Sequence, residues 1–224
     1  MCNQYTPAKP RAIADLFDVP EPAFDYPARA YKGYKAPMLR RPHSGTGLVA
    51  EEGHFALVPF FAPAIKLQYD TLNARTETIA TAASYRGPWK RRQFCLIPMH
   101  TFTEPNYESG KSQWWDVYRR DGKAFAVAGL YDRWTSPEGE IYWSFTLPTI
   151  NSDQHPLMNR FHKPGKEKRS IVVLPPSAYD TWLDAKTDED ARSVFQLFDE
   201  RQFDAGPVPA APARADSAPG QLQV

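Results

Sequence analysis

Gln113-Trp114-Trp115-Asp116-Val117-Tyr118, then Asp121-Gly122, then Lys123-Ala124-Phe125-Ala126-Val127-Ala128-Gly129-Leu130-Tyr131, is the passage that carries the fold class. Both flanking runs are rich in valine and aromatic residues and read as strands. Aspartate and glycine accept the positive φ of a tight turn, so the spacing predicts a hairpin and with it an antiparallel sheet. Outward from it, His54 to Phe60, Phe94 to Ile97, Ile141 to Leu147 and Ser170 to Leu174 are similar short runs bounded by Gly, Pro, Asp or Ser. Together these strands predict an α+β fold: curved antiparallel sheets forming a barrel-like core with flanking helices.

Two closing helices are expected, one from Ser177 with Asp180 three residues on, the other from Thr187 with Asp190, both as capping boxes with Asp in place of Glu. Tyr179, Trp182 and Leu183 share one helical face, and so do Ala191, Val194, Phe195 and Phe198, which should pack on the sheet. The first 50 or so residues, rich in proline and glycine, read as an extended segment on the core's surface with a short helix at Arg11 to Asp18. From Asp204 onward the Pro/Ala-rich composition offers too little apolar area to offset ordering entropy. The expected organisation is therefore one domain over 1–203 and a disordered tail over 204–224.

With 224 residues the chain can bury a sizeable core. Mean hydropathy is −0.55, and no apolar run approaches the length of a membrane span. No secretory signal opens it. A cytoplasmic, monomeric protein without membrane association is expected, its two cysteines free thiols. Cys95, inside Gln93-Phe94-Cys95-Leu96-Ile97-Pro98, reads as a buried apolar residue. His43, His54, His100 and His155 have no ligand spacing, and no phosphate loop or paired Cys-x-x-Cys is present, so neither metal nor cofactor is expected.

Chemistry starts at the terminus. Loss of Met1 would leave an α-amine and a thiol on Cys2, with reference pKa values of about 7.7–8.0 and about 8.5. Both are then partly nucleophilic at neutral pH; an amine condenses with an aldehyde to an imine, which the thiol can close into a thiazolidine. Asn73-Ala74-Arg75-Thr76-Glu77 offers an amide, a guanidinium and a carboxylate, although Asn73 equally suits a helix cap. Glu104 follows a buried strand, where partial burial would raise its pKa. His162 sits in a loop dense with cations, which would keep it neutral.

Net charge is only +1, from 27 basic and 26 acidic residues, so any nucleic-acid affinity must be local. Arg86, Lys90, Arg91 and Arg92 interleave with Tyr85 and Trp89, and residues 160–169 carry +4 around Phe161. Cations beside aromatics suit the backbone and bases of a single strand, though such runs are usually solvated faces.

Taken in order, Met1-Cys2, Asn73 to Glu77, Arg91 to Pro98 with Phe102 and Glu104, Ala126 to Tyr131, Thr146 to Thr149, and His162 before Ile171 to Leu174 resemble the SRAP (SOS response-associated peptidase) family across roughly residues 2 to 185. The resemblance implies a barrel-like fold with a positively charged groove that holds single-stranded DNA carrying an abasic site. It implies DNA damage response and repair, with a covalent thiazolidine formed by Cys2. In that scheme Asn73 orients the amine, Glu104 relays protons and His162 promotes opening of the sugar ring. Arg75, Arg86, Trp89, Phe55 and Arg169 are the implied DNA-contacting residues. The family name also implies autoproteolytic exposure of Cys2, a step an aminopeptidase could perform.

The chain departs from the family pattern at Asn3-Gln4 for Gly-Arg, at Phe55-Ala56 for Trp-Gly, at Pro105 for an aromatic, and in a longer link between His162 and Ile171. Two other readings fit the residues. An N-terminal-nucleophile amidase would also use the Cys2 amine and would turn over glutamine. A single-strand binding module would bind reversibly and salt-sensitively without an adduct.

Overall fold

The computed structural model describes residues 2–208. Twelve strands among them form one sheet system. In chain order they are β1 (Gln4–Pro7), β2 (Ala30–Tyr31), β3 (Lys35–Arg40), β4 (Val49–Phe55), β5 (Asn73–Arg75), β6 (Phe94–Asn106), β7 (Gln113–Arg119), β8 (Phe125–Thr135), β9 (Ile141–Asn151), β10 (Arg169–Ile171), β11 (Val173–Leu174) and β12 (Phe203–Pro207). Four short helices accompany them: α1 (Pro10–Phe17), α2 (Arg86–Lys90), α3 (Tyr179–Leu183) and α4 (Asp188–Ser193).

The path β8-β9-β4-β3-β6 closes on itself because β6 also pairs with β8, and these strands make the barrel. Pairing is antiparallel except where β9 runs parallel to β4 and to β5. Closure needs close backbone approach. A Cβ on Gly129 of β8 would lie 2.7 Å from Cys95 Sγ and 2.9 Å from Ile97 Cγ1 on β6, so only glycine fits there.

The alternation along β6 divides the core in two. Cys95, Ile97, Met99 and Phe102 point into the barrel with Cys2, Tyr5, Phe55 and Phe145, while Phe94 and Leu96 join Trp89, Trp182 and Leu183 outside it. Trp182 of α3 ties the layers by donating its indole N–H to the Cys95 carbonyl at 2.9 Å. Thr187 caps α4 in the expected box with Asp190, whose carboxylate accepts the Thr187 backbone N–H at 2.9 Å. Ser177 does not cap α3; it lies in a 3-10 turn, Pro176–Ala178, that leads into the helix.

Several expectations change. The Asp121-Gly122 turn forms, with Gly122 at φ 70, but β7 and β8 do not pair as a hairpin. Both pair with β6, Tyr118 opposite Thr101 and Phe125 opposite Met99, so the turn is an excursion between strands that follow one another along β6. The first 50 residues are not a surface wrapping: β1 and β3 both pair with β6, and Tyr5, Met38 and Leu39 are fully buried. The strand expected at His54 to Phe60 ends at Phe55. The domain does not stop at 203. Strand β12 pairs along β7, and Val208 N–H donates to the Trp114 carbonyl at 2.9 Å. The remainder of the expected tail, 209–224, lies outside the described residues.

Candidate active site

Strand β1 delivers the terminus to the barrel. Gln4 pairs with Thr103 and Tyr5 with Phe102, which brings Cys2, just ahead of β1, next to Glu104. Cys2 is fully buried, and its thiol donates to the Gln4 carbonyl at 3.4 Å. Burial first, then the neighbouring Glu104 carboxylate, pushes that thiol well above its ordinary value. The expectation of a partly ionised thiol at neutral pH is thereby corrected.

Asn73 opens a strand rather than a helix, held alongside Leu147 of β9. Its amide Nδ2 donates to the Cys2 carbonyl at 2.9 Å, and the Tyr85 hydroxyl donates to the Asn73 carbonyl at 3.2 Å. Asn73 Oδ1 is buried and accepts no hydrogen bond from a described residue. Glu104 lies within β6 opposite Trp115, fully buried, rather than in a loop past the strand.

His162 is delivered by a bridge between Asn106 and Phe161, with its backbone N–H donating to the Pro105 carbonyl at 2.8 Å. Its φ of 62 is a left-handed conformation unusual for a side-chain-bearing residue, held by these contacts. The ring is buried instead of exposed among cations. Nε2 is 2.8 Å from the Arg169 carbonyl, and Nδ1 is 3.5 Å from Glu104 Oε2. A carbonyl only accepts, so Nε2 carries a proton there, and Nδ1 is the ring nitrogen that faces Glu104.

The four residues singled out for chemistry thus converge. The five singled out for DNA contact do not behave alike. Arg86 and Arg75 are exposed, the latter paired with Glu167 at 2.8 Å. Trp89 is corrected: only 2% exposed, it packs on Phe94 and Trp182 and offers no face for a base. Phe55 is corrected too, being fully buried between Tyr5 and Phe145. Arg169 is buried by a bidentate pair with Glu77 and a bond to the Thr149 carbonyl, so its guanidinium is structural while its own carbonyl orients His162.

Sequence reasoning missed the exposed aromatics. Phe60 and Phe61 lie 58% and 51% exposed on the β4–β5 loop, with the Arg91 guanidinium 5.4 Å over the Phe60 ring. A Cβ on Gly87 of α2 would sit 3.6 Å from Phe60, and Ser84, just ahead of α2, contacts Tyr69 at 3.5 Å. Two adjacent aromatics after Pro59, breaking the alternation of a strand, were the available signal. Among the described residues no group of three or more His, Cys, Asp or Glu could hold a metal, and no helix is long and apolar enough to cross a membrane.

Comparison with known proteins places this geometry. The family model for SOS response associated peptidase (SRAP) matches residues 1–212. The chain is 30% identical over 154 residues to abasic site processing protein YoqW of Bacillus subtilis, covering 67% of this chain and 65% of that protein. It is 22% identical over 138 residues to abasic site processing protein HMCES of Gallus gallus, covering 53% and 39%. The chain therefore spans less than two thirds of those relatives. An X-ray structure of a Bordetella bronchiseptica protein superposes with a TM-score of 0.84 at 31% identity, covering 93% of this chain and all of that one. A Bacteroides thetaiotaomicron protein shares the fold, with a TM-score of 0.72 at 20% identity.

Proposed function

The chain belongs to the SRAP family, and from that premise we propose that it recognises abasic sites in single-stranded DNA and joins them covalently through Cys2. The observation that carries this reading is the convergence of Cys2, Asn73, Glu104 and His162, with the Asn73 amide on the Cys2 carbonyl and Glu104 between Cys2 and His162.

Removal of Met1 frees the Cys2 amine; while acylated, that nitrogen's lone pair is delocalised into the peptide bond and cannot attack. The free amine adds to the aldehyde carbon of the ring-opened sugar, and loss of water gives an imine. The thiol then adds across the carbon–nitrogen double bond, its proton ending on nitrogen, and closes a five-membered thiazolidine. Water is the only group released. A thiol held protonated by burial suits this order, in which the amine acts first. The buried Asn73 Oδ1 offers the freed amine an acceptor. Glu104 relays the protons, and His162 Nδ1 donates to the sugar ring oxygen to favour the open aldehyde. Exposed Phe60, with the Arg91 guanidinium over its ring, and exposed Phe61 and Tyr69 present stacking faces and a cation to the neighbouring nucleotides.

The test uses two forms of the protein, one with Met1 removed and one with an uncleaved N-terminal extension, each verified by intact mass. Both are incubated with a single strand bearing one abasic site and run on a denaturing gel. An adduct from the first form alone is expected. Equal yield from the blocked form would remove the α-amine as nucleophile.

A further inference from the structure

The link between His162 and β10, longer here than in the family pattern, carries Lys163, Lys166, Glu167 and Lys168, with a turn at Gly165 of φ 73. Four contacts fix its base. Lys168 Nζ donates to the His162 carbonyl at 3.0 Å and to the Lys163 carbonyl at 3.4 Å, Lys168 N–H donates to Asp153 at 2.7 Å, and Ser152 N–H donates to the Lys168 carbonyl at 2.8 Å.

Among this link's three lysines, the single carboxylate points back toward the site. Glu167 accepts from Arg169 Nη1 at 2.5 Å, from Arg75 Nη1 at 2.8 Å and from Asn151 Nδ2 at 3.3 Å. An anion gathered by two guanidinium groups and an amide is the coordination a phosphate oxygen receives. Arg169 is already held by Glu77, so the cation that Glu167 withdraws is Arg75, half-exposed at 52%. Arg75 lies two residues from Asn73 on β5 and so projects from the same face of that strand as the residue gripping Cys2.

We propose that Glu167 is a built-in stand-in for a DNA phosphate, holding Arg75 in the free protein until the backbone beside the lesion displaces it. The proposal rests on the DNA reading above. It makes the 163–168 link a threshold on non-covalent affinity: Arg75 contributes to binding only after an intramolecular ion pair opens, so weakly held strands are rejected while the chemistry at Cys2 is untouched.

The test measures binding of an undamaged single strand across a salt series for the wild type, Glu167→Gln, Arg75→Gln and the double variant. Glu140→Gln, an exposed carboxylate in the β8–β9 turn, serves as the equal-charge control. Glu167→Gln is expected to bind about two- to fivefold more tightly, the weight of an exposed ion pair, and to steepen the log–log salt slope by about 0.7 for one added phosphate contact. Both gains should vanish in the Arg75→Gln background and be absent from Glu140→Gln. Should Glu167→Gln melt far below the wild type, Glu167→Asp, which withdraws the carboxylate by one methylene, is expected to give a smaller gain in the same direction. Unchanged affinity and slope, or an equal gain without Arg75, overturns the gate. Wild-type adduct formation on the abasic strand, measured in parallel, separates that outcome from failure of the DNA reading itself.

Discussion

Replacing Asn73 by alanine removes the amide that donates to the Cys2 carbonyl at 2.9 Å. Cys2 is fully buried, so its carbonyl loses a partner where water does not readily replace it, a cost of about 1–3 kcal/mol. If that hydrogen bond sets the geometry in which Cys2 reacts, the same free energy appears in the barrier. At about 1.36 kcal/mol per decade, the single-turnover rate of adduct formation falls about 5- to 160-fold. Stability falls as well, and at about 2–4 °C per kcal/mol the melting temperature should drop by roughly 2–12 °C. The assay is adduct formation at saturating abasic strand, read on a denaturing gel, with affinity for an undamaged strand measured alongside. Affinity should stay within about twofold, since Asn73 acts on Cys2 and not on the backbone. A variant that melts lower yet crosslinks at the wild-type rate would refute the positioning role, and one that crosslinks slowly only because it binds weakly would refute the division between binding and chemistry.

Burial raises the pKa of both Cys2 and Cys95, so unfolding releases thiols that ionise more readily than in the folded state. Stability should hold below about pH 8.5 and fall above it by up to about 1.4 kcal/mol per pH unit per thiol, and Cys95→Ala should remove up to about that much of the slope in denaturant titrations between pH 8.5 and 10, the buried tyrosines adding their own share toward pH 10; an unchanged slope would place Cys95 in a polar environment. Ala56 adopts φ 103, where the family pattern has glycine, so Ala56→Gly should relieve about 1–3 kcal/mol of strain, less glycine's entropic cost of about 0.5–1 kcal/mol, and raise the melting temperature; a lower melting temperature would show that no strain is stored there. Phe203 is 3% exposed and packs on Phe125 and Phe198, so a chain ending at 202 should melt many degrees lower, while one ending at 208 keeps β12 and should match the full chain in melting and crosslinking.

Local chemistry in the sequence was enough to fix the strand-rich class, the Thr187 cap and the buried character of Cys95, because alternation, capping and apolar runs act between near neighbours. The order Cys2, Asn73, Glu104, His162 was legible as well, each residue in its own short motif. Their convergence was not, since it depends on β1 pairing with β6, β5 with β9, and the Asn106–Phe161 bridge, contacts between residues far apart in the chain. The same physics reversed the readings of Trp89 and Phe55. An aromatic looks identical in sequence whether it faces solvent or the core, and only the packing of Phe94, Trp182 and Phe195 on Trp89, and of Tyr5 and Phe145 on Phe55, decides which. The Asp121-Gly122 turn makes the point most plainly: its residues dictate a tight turn, but whether the flanking strands pair with each other or with a third strand depends on β6, thirteen residues long and able to engage both in succession.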